Sequence, residues 1–171
     1  MMRSDSSVKK LAVAAILVAV AVVGSMFSFP VLASRCSPVQ HMVNILCAVF
    51  LGPWYGFAAA FLASLLRNLL GLGTLLAFPG SMVGALLCGL MYHKTRSLLA
   101  TCGAEVFGTG VLGGLAAWPV AVLLLGQTAA VYAYIGPFLV STAGGAIIAG
   151  AVLFALKRSG GLNAMQAVME H

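Results

Sequence analysis

Acidic residues are almost absent from this chain. Asp5, Glu105 and Glu170 are the only three in 171 positions, and charged residues of both signs make up 7%. Soluble domains carry about 25%. No water-facing surface can be built from so few charges, and a hydrophobic content of 62% points to an integral membrane protein. The same scarcity excludes chemistry that needs paired carboxylates. Neither H-E-x-x-H nor G-x-S-x-G occurs, so nothing marks an enzyme. No G-x-x-x-x-G-K-[ST] loop occurs either, so the chain does not bind ATP in that way. Cys36, Cys47, Cys88 and Cys102 show no C-x-x-C spacing. Three of them lie inside apolar runs, where free cysteine acts as a small hydrophobe, which argues against a disulfide framework or a metal site. The net charge of +6 does not indicate nucleic acid, because the basic residues stand in short clusters at the ends of apolar runs, as orientation signals do.

What the chain has is apolar runs separated by proline, glycine and short polar turns. A helix needs roughly 17–25 apolar residues to cross a bilayer. The runs predict six helices: Leu11–Phe29, Pro38–Gly52, Pro53–Leu70, Ser81–Tyr92, Leu98–Leu125 with a kink at Pro119, and Pro137–Leu156. The first run exceeds the roughly 7–15 residues of a signal-peptide core, so it reads as a retained helix despite a passable cleavage site at Val31-Leu32-Ala33. Loops are expected at 30–37, at the glycine-rich 71–80 and at 127–136. With a cytoplasmic N-terminus, Arg3, Lys9, Lys10, Lys94, Arg96, Lys157 and Arg158 all fall inside, leaving Arg35 and Arg67 outside or in the membrane. The positive-inside rule therefore favours an all-α membrane protein with six transmembrane helices and both termini cytoplasmic. Residues 1–8 and 159–171 then form cytoplasmic tails around a domain spanning 9–158.

Polar groups inside such a chain are costly, so each invites a question. Arg67 and Asn68 end the third helix. Arg67 either snorkels to lipid phosphates or turns inward to orient a ligand or pair with Glu105. Glu105 stands two turns into the fifth helix, with Thr101 and Thr109 on its face, as a structural ion pair, a neutral carboxyl or a pocket wall. Trp118, Tyr132 and Tyr134 fit an interfacial aromatic belt or, for Trp118, a surface on which an aromatic ligand stacks. Ser141 and Thr142 either face inward or bond their own backbone. In S-P-V-Q-H-M-V-N, residues 37–44, Ser37 and Gln40 match a capping box with Pro38 at the first helical position. Gln40, His41 and Asn44 also converge on one side of the helix mouth, where a polar ligand would satisfy them.

Four stretches together resemble the ThiW family: S-P-V-Q-H-M-V-N, F-L-G-P-W-Y at 50–55 (Phe50 replacing a leucine), L-L-R-N-L-L-G-L-G-T-L-L-A-F-P-G-S-M at 65–82, and E-V-F-G-T-G at 105–110. The resemblance covers about residues 9–158. It implies a substrate-binding S component of an energy-coupling factor (ECF) importer, assigned to hydroxyethylthiazole, the thiazole precursor of thiamine. On that footing the chain sits in a prokaryotic cytoplasmic membrane and binds no cofactor. It joins a transmembrane coupling subunit and two ATPase subunits that use the ATP. The implied ligand contacts are Gln40, His41, Asn44, Arg67, Asn68, Glu105, Thr109, Trp118 and Ser141. Small residues of helix 1, here Ala15 and Ala19, would pack on the coupling subunit. Leu72 departs from the polar residue expected in the glycine loop. The competing class is a self-sufficient secondary transporter using Glu105 and His41 as a proton relay.

Overall fold

The computed structural model describes residues 2–31 and 34–170. Leu32 and Ala33, within the cleavage-site reading, lie outside the described residues, as do Met1 and His171. Seven helices account for most of the chain: α1 Met2–Gly24, α2 Pro38–Phe50, α3 Pro53–Leu69, α4 Ala77–Thr95, α5 Leu98–Leu124, α6 Ile135–Arg158 and α7 Gly161–Glu170. By length and composition, three helices can cross a membrane: Ser6–Phe27, Leu98–Leu124 and Ile135–Arg158.

The helix boundaries follow local chemistry. Gly52 takes φ 86°, a left-handed turn that glycine adopts without strain, and Pro53 then opens α3. The first α-helix ends at Gly24, and one 3-10 turn, Ser25–Phe27, carries it close to the expected Phe29. Ser28 is already extended (ψ 143°). Where a loop was expected, Phe29–Val31 pairs antiparallel with Ser34–Cys36, setting Pro30 opposite Arg35. Both strands of a two-stranded ribbon are edges, where proline is tolerated. Helix α4 begins at Ala77, inside the glycine-rich segment read as loop. At the C-terminal end, α7 buries Leu162 and Met169 against the main core, and its Gln166 donates to Val49 O (3.2 Å) and Tyr92 Oη (2.8 Å).

Helix α2 is the axis of the bundle. From Gln40 to Phe50 every residue except Met42 is buried, and the helix packs against α1, α3, α4 and α6. At about 1.5 Å per residue it is too short for the ~30 Å hydrocarbon layer, and its neighbours shield it instead. Val18 and Ala21 of α1 belong to the same core, so the first apolar run is an integral packing element. The surface is apolar: Ile16, Phe61, Leu99, Leu123, Ile147 and Phe154 are exposed, whereas Ser25, Gln40, Asn44, Ser64, Arg67, Ser81, Thr101, Glu105, Thr109 and Thr142 are buried. Polar inside and apolar outside is the arrangement a lipid solvent demands.

Charge divides along the bundle. Lys9, Lys10, Lys94, Arg96, Lys157 and Arg158 belong to the early part of α1, the α4–α5 turn and the end of α6. Arg35 and Arg67 belong to the opposite end, with the ribbon and the starts of α2, α4 and α6. That second end is called the ribbon end below.

Candidate functional site

Glu105, in the first third of α5, is fully buried. Its Oε1 is 2.9 Å from His41 Nδ1, and accepts from Asn44 Nδ2 (3.0 Å) and Thr109 Oγ1 (3.0 Å). Cys88 Sγ lies 3.2 Å from Oε2. Helices α2, α4 and α5 thus meet on one carboxylate. Close approach is required, and Gly84 supplies it: a Cβ there would overlap Thr109 Oγ1 and press on Glu105. Gly145 does the same for α6, where a Cβ would run into His41 Cβ and Pro38 O. Beyond Glu105, Val106–Gly113 follows i→i−5 hydrogen bonding, which widens the helix and carries Thr109 toward α4, within 3.1 Å of Gly80 O. A second wide stretch, Val120–Leu124, follows Pro119 at the position expected to kink.

A second layer joins this cluster to Arg67. Gln40 Nε2 donates to Ser81 Oγ (3.0 Å), and Gln40 Oε1 accepts from Arg67 Nη1 (3.0 Å). Asn44 Nδ2 also reaches Ser81 O and Oγ, both at 3.3 Å. Arg67 is turned inward and 4% exposed, which rules out snorkelling. It does not pair with Glu105, whose partners are His41, Asn44, Thr109 and Cys88. The capping box fails as well. Ser37 Oγ makes no cap bond, Gln40 is taken by Ser81 and Arg67, and the Ser37 N–H donates to Ser141 Oγ (2.8 Å). Tertiary partners outcompete the local ones at this helix start.

Above these layers a cavity opens at the ribbon end. The cavity is narrow in this structure, about 30 Å³, well under the ~300–1,000 Å³ of pockets that enclose a drug-sized ligand. Gln40, His41, Arg67, Ser81, Thr109 and Ser141 line it, with Ser37, Thr74 and Phe138. Arg35 stands at its rim, and Cys36 Sγ ties the ribbon to α6 through Pro137 O (3.2 Å). Of the residues singled out in sequence, Gln40, His41, Arg67, Thr109 and Ser141 face the cavity, and Asn44 and Glu105 brace it from beneath. Asn68 instead holds the α3–α4 connection, donating to Ser64 O (2.8 Å) and Thr74 O (3.1 Å). Trp118 lies outside the cavity lining, its indole donating to Ala129 O (2.9 Å); the ring at the cavity is Phe138. Ala15 and Ala19 are exposed on α1.

Ser81, Phe138 and Cys88 are the members that sequence reasoning missed. Ser81 had a signal: a lone hydroxyl between Gly80 and Gly84 marks a face where another helix comes close. Phe138 and Cys88 had none, since apolar and sulfur side chains are ordinary in such helices.

An apolar-surfaced helical bundle with a polar interior is the build of an integral membrane protein, here with one cavity at the ribbon end and another beside Lys10 and Arg96. The model of the ThiW family, described as a thiamine-precursor transporter protein, matches residues 11–159. The chain belongs to this family, and is therefore a membrane transporter for a thiamine precursor. No curated protein and no solved structure matches it.

Proposed function

We propose that this chain is the substrate-capturing S component of an ECF-type importer in a prokaryotic cytoplasmic membrane, and that it binds hydroxyethylthiazole from the outer face. One observation carries the reading: the cavity opens at the ribbon end, opposite the clusters Lys9-Lys10, Lys94 to Arg96 and Lys157-Arg158. By the positive-inside rule those clusters face the cytoplasm, so the cavity faces the compartment from which an imported molecule arrives. Six helices, α1 to α6, then pass the membrane in alternation, with α7 lying on the cytoplasmic side. A small ring would rest on Phe138, and His41 Nε2, left open by the Nδ1 contact to Glu105, would meet the ring nitrogen or the hydroxyl. Transport energy would come from a coupling subunit and two ATPases, for which the exposed Ala15 and Ala19 of α1 offer a close-packing surface.

The test is thermal unfolding of the detergent-solubilised chain with hydroxyethylthiazole, thiamine or the pyrimidine precursor. A ligand that binds only the folded state raises the midpoint by mass action. The thiazole should give the largest rise; a clear rise with another compound and none with the thiazole overturns the substrate assignment. The His41–Glu105 pair also fits a secondary transporter moving protons. Uptake into proteoliposomes without ATPase subunits would establish that reading against the one preferred here.

A further inference from the structure

The cavity contains a buried cation without an anion. Arg67 Nη1 has a neutral acceptor in Gln40, and Arg67 Nε is buried with no partner among the described residues. Among the described residues no carboxylate lies within ion-pair reach of this guanidinium, and Glu105, one layer down, is engaged by His41, Asn44, Thr109 and Cys88. A charged group removed from water without a counter-charge is strongly unfavourable, and buried charges are normally paired. Arg67 sits in the last turn of α3, where a cation complements the helix dipole, but that leaves Nε unsatisfied. Among the described residues a second buried polar atom without a partner, Ser37 Oγ, belongs to the same lining. A second guanidinium, Arg35, stands at the mouth, and no acidic residue lines the cavity.

Building on the assignment of this cavity as the substrate site, we propose that it takes its ligand as an anion, a carboxylate or phosphate monoester on a small ring, with Arg67 as the buried counter-ion and Ser37 as a hydroxyl donor. The anionic group lies between Arg67 Nε and Ser37 Oγ, Arg35 closes over it from the rim, and the ring rests toward Phe138. The neutral alcohol is then the weaker member of the ligand class. The guanidinium suits either oxyanion, because its fork of donors matches both geometries.

The experiment compares five compounds on the full wild-type chain in detergent by calorimetry at low salt: hydroxyethylthiazole, its phosphate monoester, 4-methylthiazole-5-carboxylate, benzoate and inorganic phosphate. The expected result is that at least one thiazole anion binds roughly 10- to 100-fold tighter than the alcohol, the worth of a charge-assisted bond. Arg67→Gln should bring that preference close to one. Should Arg67→Gln fail to fold, Arg35→Gln at the exposed rim should lower the preference for the anion over the alcohol several-fold. An alcohol that binds as tightly as both thiazole anions overturns the proposal while leaving the thiazole reading intact. Benzoate or phosphate binding with no preference for a thiazole supports the anion site and overturns the thiazole reading. Failure of all five to bind overturns both.

Discussion

Replacing Glu105 by alanine should be among the most damaging single changes in the chain. The side chain is fully buried and gathers contacts from three helices. Its loss does not affect its partners equally. Asn44 keeps Ser81 O and Oγ, and Thr109 keeps Gly80 O, but His41 Nδ1 has no other partner among the described residues. Breaking one side of a buried, hydrogen-bonded pair costs about 3–5 kcal/mol. For a chain of this length each kcal/mol moves the midpoint by about 2–4 °C, so a fall of roughly 6–20 °C is expected. Glu105→Gln keeps the shape and one carbonyl acceptor, and should lose about half as much or less. Cys36, Cys47 and Cys88 are buried and free, so a thiol-reactive fluorophore in detergent reports unfolding directly. A double-mutant cycle with His41→Ala should return a coupling near the upper part of the ~0.5–3 kcal/mol range for contacting residues. A midpoint within 2 °C of wild type for Glu105→Ala would refute the argument that this carboxylate ties α2, α4 and α5 together.

Two further changes probe the close approach of helices and the edge of the site. Gly84→Ala should cost about 1–3 kcal/mol by overpacking, because the new methyl meets Thr109 Oγ1 and Glu105; an unchanged midpoint in the same thiol assay contradicts the spacing of α4 and α5. Trp118→Phe removes one hydrogen bond to Ala129 O, worth about 0.5–1.5 kcal/mol, and should leave ligand affinity within about twofold; a larger loss by calorimetry would place Trp118 in the site.

The helices themselves were legible in the sequence. Apolar runs broken by Pro30, Gly52-Pro53 and His93-Lys94-Thr95-Arg96 predict six helices, and the structure forms helices over all six. This works because hydrophobicity and turn chemistry act over a few residues. Two features escaped. The 29–36 ribbon is too short to show a strand pattern, and it gains stability from Cys36 docking on Pro137. Helix α7 was readable in principle, since Leu162, Gln166 and Met169 recur at helical spacing, but its polar setting after Lys157-Arg158 reads as a tail.

For the site, the residue types were legible and their pairing was not. Polar groups are so expensive in an apolar chain that Gln40, His41, Asn44, Arg67 and Glu105 announce themselves. Nothing local says that Glu105 takes His41 rather than Arg67, or that Gln40 abandons its cap for Ser81 and Arg67. His41 and Glu105 are 64 positions apart in the chain, and their meeting depends on how α2, α4 and α5 rotate about their axes. That rotation is set by glycines such as Gly84 and Gly145, where the loss of a single methyl lets two helices close. The sequence by itself determined a membrane bundle with a few polar groups inside it. Only the tertiary packing decided that Glu105 meets His41 and that Arg67 is left facing the cavity.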